Sequence, residues 1–156
     1  MKIVRTNETP WADSVQKGNY SQQRKELGGQ KLSCGLWKLA PGKKSFPFHA
    51  HKVTEEAMFV ISGAASVRTP DGLQKLGPGD YVYFEPGGPA HQLLNDGGDP
   101  FIYVGISAAF GMDVVEYPDS GKISTAIQSA EGRTRWIFRT ADQRDYFDGD
   151  EDAKGS

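Results

Sequence analysis

The sequence predicts an all-β fold, an antiparallel sandwich or barrel, on three observations. Short runs rich in Val, Ile, Tyr, Phe and Leu recur at spacings of about ten residues. The chain of 156 residues carries 19 glycines and 9 prolines, more than an average globular protein, and they fall between those runs. No stretch with helical periodicity competes in strength. The length matches one ordinary domain and leaves no room for two independent cores.

The first thirty residues are polar and carry little pattern, which predicts an N-terminal arm over 1–30. The body, 31–112, begins near Lys31, where Leu32, Cys34 and Leu36 alternate with Ser33, Gly35 and Trp37. That period of two predicts a strand covered on both faces, ended by Pro41-Gly42. Further strands are predicted at Ser45 to His51, Glu56 to Ser62, Ala64 to Arg68, Leu73 to Leu76, Tyr81 to Phe84, His91 to Asn95 and Phe101 to Ser107. Pro70-Asp71-Gly72, Gly77-Pro78-Gly79-Asp80, Pro86-Gly87-Gly88-Pro89 and the run from Asn95 to Pro100 separate them, each a turn in which Pro presets φ and Gly permits positive φ. A C-terminal extension, 113–148, packs on the body; Ile123 to Phe138 adds a strand or two anchored by Trp136, Ile137 and Phe138. The acidic tail 149–156 has no apolar residue larger than alanine and is expected to be disordered.

The net charge is −2. Asp142, Asp145, Asp148, Asp150, Glu151 and Asp152 concentrate the acids at the C-terminal end, against Arg144 and Lys154, and no basic stripe suited to phosphate backbones appears, so nucleic acid is not an expected partner. No window approaches the ~18 consecutive apolar residues of a membrane helix. One cysteine, Cys34, excludes an intrachain disulfide, and with no signal-like apolar run at the N-terminus a cytoplasmic address is expected.

The three histidines, His49, His51 and His91, all sit at predicted strand ends beside glycine- or proline-rich turns. On a strand, residues i and i+2 point to one face, so His49 and His51 aim two imidazoles at one point. A turn over Lys52 to Glu55 would pair the next strand with this one and bring the Glu56 carboxylate back to the same interior, and His91 would add a third imidazole. Three imidazoles and one carboxylate suit a divalent first-row transition metal and leave coordination positions open.

The text around these residues resembles the two motifs of the cupin superfamily. The stretch from Gly42 through His49-Ala50-His51 to Glu56 and Gly63 is similar to the first motif, whose interval from glutamate to glycine selects Glu56 over Glu55. Gly79, Pro86, Gly87, His91 and Asn95 follow in the order of the second. Gly42 and Gly79 each stand one residue further from the next motif position than usual, which leaves the four ligand positions intact. The resemblance covers about residues 30 to 110. It implies a double-stranded β-helix, the jelly-roll cupin barrel, with metal ligands His49, His51, Glu56 and His91 for Mn, Fe, Ni or Zn.

Single-domain cupins of this kind resemble sugar-phosphate or mannose-6-phosphate isomerase-like proteins. That implies a metal-dependent enzyme on a small hydroxylated or carbonyl substrate, with Glu55 or Tyr83 moving a proton and Lys43, Lys44 or Lys52 holding a phosphate. A metal-dependent dioxygenase and a non-catalytic small-molecule-binding protein are the alternatives. Alternation places Met58, Val60, Leu93 and Asn95 on the inward face, with Asn95 as a hydrogen-bonder to a turn, and turns Phe46 and Phe48 away from the metal. Cys34 reads as a small buried apolar group, and Arg133, Arg135 and Arg139 as a solvated face. Phe59, Ile61 and Tyr81 leave apolar surface for a homodimer across a sheet face.

Overall fold

The computed structural model describes residues 1–29, 31–108, 111–129 and 131–150. Apart from two short 3-10 turns, the regular structure among them is entirely β. The strands are β1 (Ala12–Lys17), β2 (Tyr20–Glu26), β3 (Leu32–Leu39), β4 (Ala50–His51), β5 (Glu55–Ser62), β6 (Ala65–Thr69), β7 (Gly72–Leu76), β8 (Tyr81–Phe84), β9 (Gln92–Leu94), β10 (Phe101–Ala108), β11 (Met112–Tyr117), β12 (Lys122–Ser129) and β13 (Gly132–Arg139).

One sheet runs β1-β2-β3-β10-β5-β8. The facing layer consists of β13-β12-β11-β4 and β7-β6-β9, joined through the segment before β4. There Ser45 N donates to Leu93 O (3.0 Å), Asn95 N donates to Lys43 O (2.9 Å), and His49 and His91 exchange both backbone hydrogen bonds. Leu39, Met58, Phe101 and Tyr103 from the first sheet pack against Val67, Leu76 and Leu93 from the second. Each large apolar side chain withdrawn from water in this core contributes about 1.5–3 kcal/mol. Met58, Val60 and Leu93 point inward as their alternation requires.

Two corrections follow from the topology. Glu56 does not reach the interior as a hairpin neighbour of the histidine strand: β4 pairs with β11, whereas β5 pairs with β10 and β8. The turn over Lys52 to Glu55 crosses from one sheet to the other, as the jelly roll demands, so Glu56 faces the histidines across the sandwich. Nor do Trp136, Ile137 and Phe138 anchor anything: they are 46%, 55% and 53% exposed, because β13 is an edge strand paired only with β12.

The N-terminal arm contains a hairpin turning at Gly18, with φ +59°, and β2 extends the first sheet by pairing with β3. Its sequence, YSQQRKE, hides the strand because the fully buried position is Gln22, not an apolar residue. The Tyr103 hydroxyl donates to its Oε1 (3.2 Å), which offsets part of the cost of burying an amide. From residue 151 onward the acidic tail lies outside the described residues.

Candidate metal centre

Strand pairing sets the positions of the imidazoles. Because His49 and His91 are bridge partners, their rings lie side by side, with centroids 4.8 Å apart. His51, two residues on, places its ring 5.0 Å from that of His49. From the opposite sheet, Glu56 brings Oε2 to 3.3 Å from His91 Nε2 and 3.5 Å from His51 Nε2. One ligand atom from each of His49, His51 and Glu56 falls within 4.8 Å of the others, a group that could close on an ion; His91 is not part of it and approaches through Glu56.

Partners outside the cluster orient two of the rings. Nδ1 of His49 donates to the carbonyl of Pro47 (2.7 Å), and Nδ1 of His51 donates to the carboxylate of Asp113. Neither acceptor can donate, so each Nδ1 carries a proton, and the ring of His49 keeps its Nε2 lone pair for an ion. Asp113 is itself held by the backbone N–H groups of Val53 (3.1 Å) and Thr54 (3.3 Å). His91 stacks on Phe84, with centroids 3.7 Å apart, and its Nδ1 is buried without a partner.

The electrostatics favour the protonation states that metal binding needs. Burial, together with the neighbouring His91 and His51, pushes the His49 pKa down to about 4, so the ring is neutral. Burial works against ionisation of Glu56 and Asp113. Nevertheless the hydrogen bond from His91 and the adjacent imidazoles hold Glu56 below its ordinary value, and the hydrogen bond from His51 does the same for Asp113. A neutral His49 and an ionised Glu56 are donors of the kind a divalent transition ion takes.

A partly open cavity of about 100 Å³ adjoins the cluster, and His49, Glu56 and His91 form part of its wall. Trp37, Phe46, Met58, Phe84, Leu93 and Tyr103 supply most of its apolar lining. Trp37 and Tyr103 stack with centroids 6.3 Å apart. Phe46 therefore corrects the parity reading. Residues 45–49 do not form a regular strand, because Pro47 lacks the N–H a ladder requires, and alternation lapses there. Phe48 does turn away, into a small cluster with Ala50 and Ala90.

The residues expected to handle protons and phosphate lie elsewhere. Glu55 beside Tyr83 raises the Tyr83 pKa, and both lie on the outer face of the sheet with the exposed Phe59, Ile61 and Tyr81. Lys52 pairs with Glu116 (2.8 Å) and Lys43 Nζ donates to Gly18 O (3.2 Å); neither these nor Lys44 line the cavity. Asn95, 1% exposed, binds its turn as expected, donating to Leu39 O and Asp99 O and accepting from Gly97 N. Cys34 is only half-buried. Sequence reasoning missed Asp113, Phe84 and Arg24. The alternation of Tyr81 to Phe84 signals which way Phe84 points, but nothing local marks Asp113 or Arg24.

Residues 35–107 match the Cupin domain family. No curated protein sequence matches the chain. Among solved structures, one from Acidithiobacillus ferrooxidans with the provisional name sugar phosphate isomerase superposes with a TM-score of 0.80 at 24% identity, covering 92% of this chain and 95% of its own. A sugar phosphate isomerase of the cupin superfamily from Silicibacter pomeroyi gives 0.77 at 22% identity, covering 94% and 98%. A protein of Thermotoga maritima, provisionally named an oxalate decarboxylase, gives 0.61 at 17% identity over 70% and 100%. With both sequence motifs, the jelly-roll topology and this family match in agreement, residues 35–107 form a cupin domain.

Proposed function

We propose that this cupin is a metal-dependent enzyme acting on a small hydroxylated or carbonyl-bearing molecule, in the manner of a sugar-phosphate isomerase. The observation that carries this reading is the pair of imidazoles, His49 and His51, whose Nδ1 atoms are tied to Pro47 and Asp113, next to Glu56 and a largely apolar cavity. His49, His51, Glu56 and His91 would hold a divalent ion, which when bound supplies Lewis acidity to substrate oxygens. The apolar lining excludes water and orients the carbon skeleton. Since Glu55 and Tyr83 do not line the cavity, a proton-handling group would come from its wall.

The likeness in shape to proteins named sugar phosphate isomerases supports the substrate class. The test is turnover of aldose and ketose phosphates by protein reconstituted with Zn or Mn under nitrogen. Isomerisation without oxygen is the expected result. Oxygen uptake coupled to substrate, seen only with a redox metal, would replace this reading with a dioxygenase, and saturable binding without turnover would replace it with a binding protein. We further propose that a second copy covers the outer face carrying Phe59, Ile61, Tyr81 and Tyr83, which are 43–63% exposed; Tyr81→Ser should then shift the oligomer toward monomer in light scattering.

A further inference from the structure

The cavity contains an arginine for which the metal cluster provides no role. Arg24 reaches it from β2, and its guanidinium lies 4.8 Å from the centroid of the Trp37 ring. Nη2 is engaged: it donates to Ser33 Oγ (3.0 Å) and Cys34 O (3.4 Å) and pairs with Glu26 at 2.7 Å. Nε is different. It is buried and has no hydrogen-bond partner, an unfavourable state for an N–H of a permanently charged group.

The backbone beneath it is cleared of side chains. Gly35 and Gly105 are cross-strand partners on β3 and β10. A Cβ on Gly35 would stand 2.4 Å from Arg24 Nε, and one on Gly105 would stand 2.7 Å from Trp37 Nε1. Two facing glycines thus make the niche in which the guanidinium and indole lie against the sheet. Glu26 is 57% exposed, so solvent screens its pairing with the guanidinium. Lys and Arg side chains other than Arg24 do not line the cavity among the described residues.

We propose that Arg24 is the anion anchor of this cavity, offering its Nε–H to an oxygen of a carboxylate or phosphate on the substrate. The inference deepens the reading of the cavity as a substrate site. It specifies a small molecule with an oxyanion at one end and hydroxyl or carbonyl oxygens at the other, toward the histidines. Arginine suits the role because its fork is planar: Ser33 and Glu26 fix one nitrogen while the neighbouring Nε–H is left without a partner.

The direct test follows the Arg24 Nε–H resonance of the full chain in a proton–nitrogen correlation spectrum, assigned by its loss in Arg24→Lys. Inorganic phosphate and acetate are titrated first, then fructose 6-phosphate, glucuronate and uncharged fructose. The resonance should move saturably with at least one anion, and which head group moves it separates phosphate from carboxylate. At least one sugar acid should bind about tenfold or more tightly than fructose, with that advantage lost in Arg24→Gln. An Nε–H that ignores all four anions, or equal affinity for charged and uncharged sugars, would overturn the proposal. Metal content is measured on the same samples. An anion response without metal would leave the anchor standing and remove the metal-enzyme reading, whereas metal without a response would do the reverse.

Discussion

His51 and Asp113 are bonded through Nδ1 and a carboxylate oxygen although 62 residues separate them in the chain. Because β4 and β11 are sheet neighbours, with Val115 opposite His51, the start of β11 lies beside the ring. The carboxylate keeps the proton on Nδ1, fixes the ring plane and raises the basicity of Nε2. Asp113→Asn preserves an acceptor for the Val53 and Thr54 amides but removes the charge. It should weaken metal affinity by about 10- to 100-fold while leaving the fold intact, measured by competition with a chromophoric chelator. Unchanged affinity would assign Asp113 to the turn alone.

Acid should destabilise the metal-free protein. His49 has a folded pKa of about 4 against an ordinary 6.5. Between those values the unfolded chain takes up a proton that the folded ring declines, so stability rises with pH across this window and is lost as pH falls through it. Glu56 and Asp113, both held low, add a further loss at lower pH in the same direction. Urea midpoints of the metal-free protein should drop between pH 6.5 and 4 by the equivalent of roughly 2 kcal/mol from His49. The drop should shrink in His49→Gln; an identical slope in that variant would refute the assignment.

Asn95 joins the end of β3 to the turn before β10 through three hydrogen bonds. Asn95→Ala would leave the Leu39 carbonyl and the Gly97 amide short of partners in a buried site, and should cost about 2–4 kcal/mol of unfolding free energy by denaturant titration. Asn95→Asp should be similarly harmful, because it replaces the donor with acceptors facing two carbonyls.

The facing glycines give a steric prediction. Gly105→Ala places a methyl group 2.7 Å from the Trp37 indole nitrogen, so the ring must move. The variant should lose about 1–3 kcal/mol of stability and bind substrate-like ligands more weakly. Its metal content should match the wild type, because Gly105 touches none of the four candidate ligands.

The parts of the site that are legible in sequence depend on short-range geometry. His49 and His51 stand two apart on a strand, Glu56 keeps a fixed interval to Gly63, and alternation assigns Met58, Val60 and Leu93 to the interior; each holds because backbone periodicity is local. The rest depends on contacts across the sandwich. Asp113 meets His51 only because two distant strands pair, and the partnership of His49 with His91 likewise arises from the ladder. Gln22 and Arg24 lie on a strand whose inward residues are polar, so hydropathy passes over it. Phe46 escapes because Pro47 breaks the alternation from which its direction was inferred. The crossing of the chain between sheets at Lys52 to Glu55 has no local mark either, since a tight hairpin and a crossover use the same residue types.

Metal content tests the centre most directly. The full chain, purified without a chelating column, should contain or take up about one divalent transition ion per chain and melt at higher temperature when loaded, because an ion that binds only the folded state stabilises it. His49→Ala should lose most of that ion, whereas Arg135→Ala, on the exposed β13 strand, should not. Less than about a tenth of an ion per chain, with no thermal gain from Mn, Fe, Ni or Zn, would contradict the account.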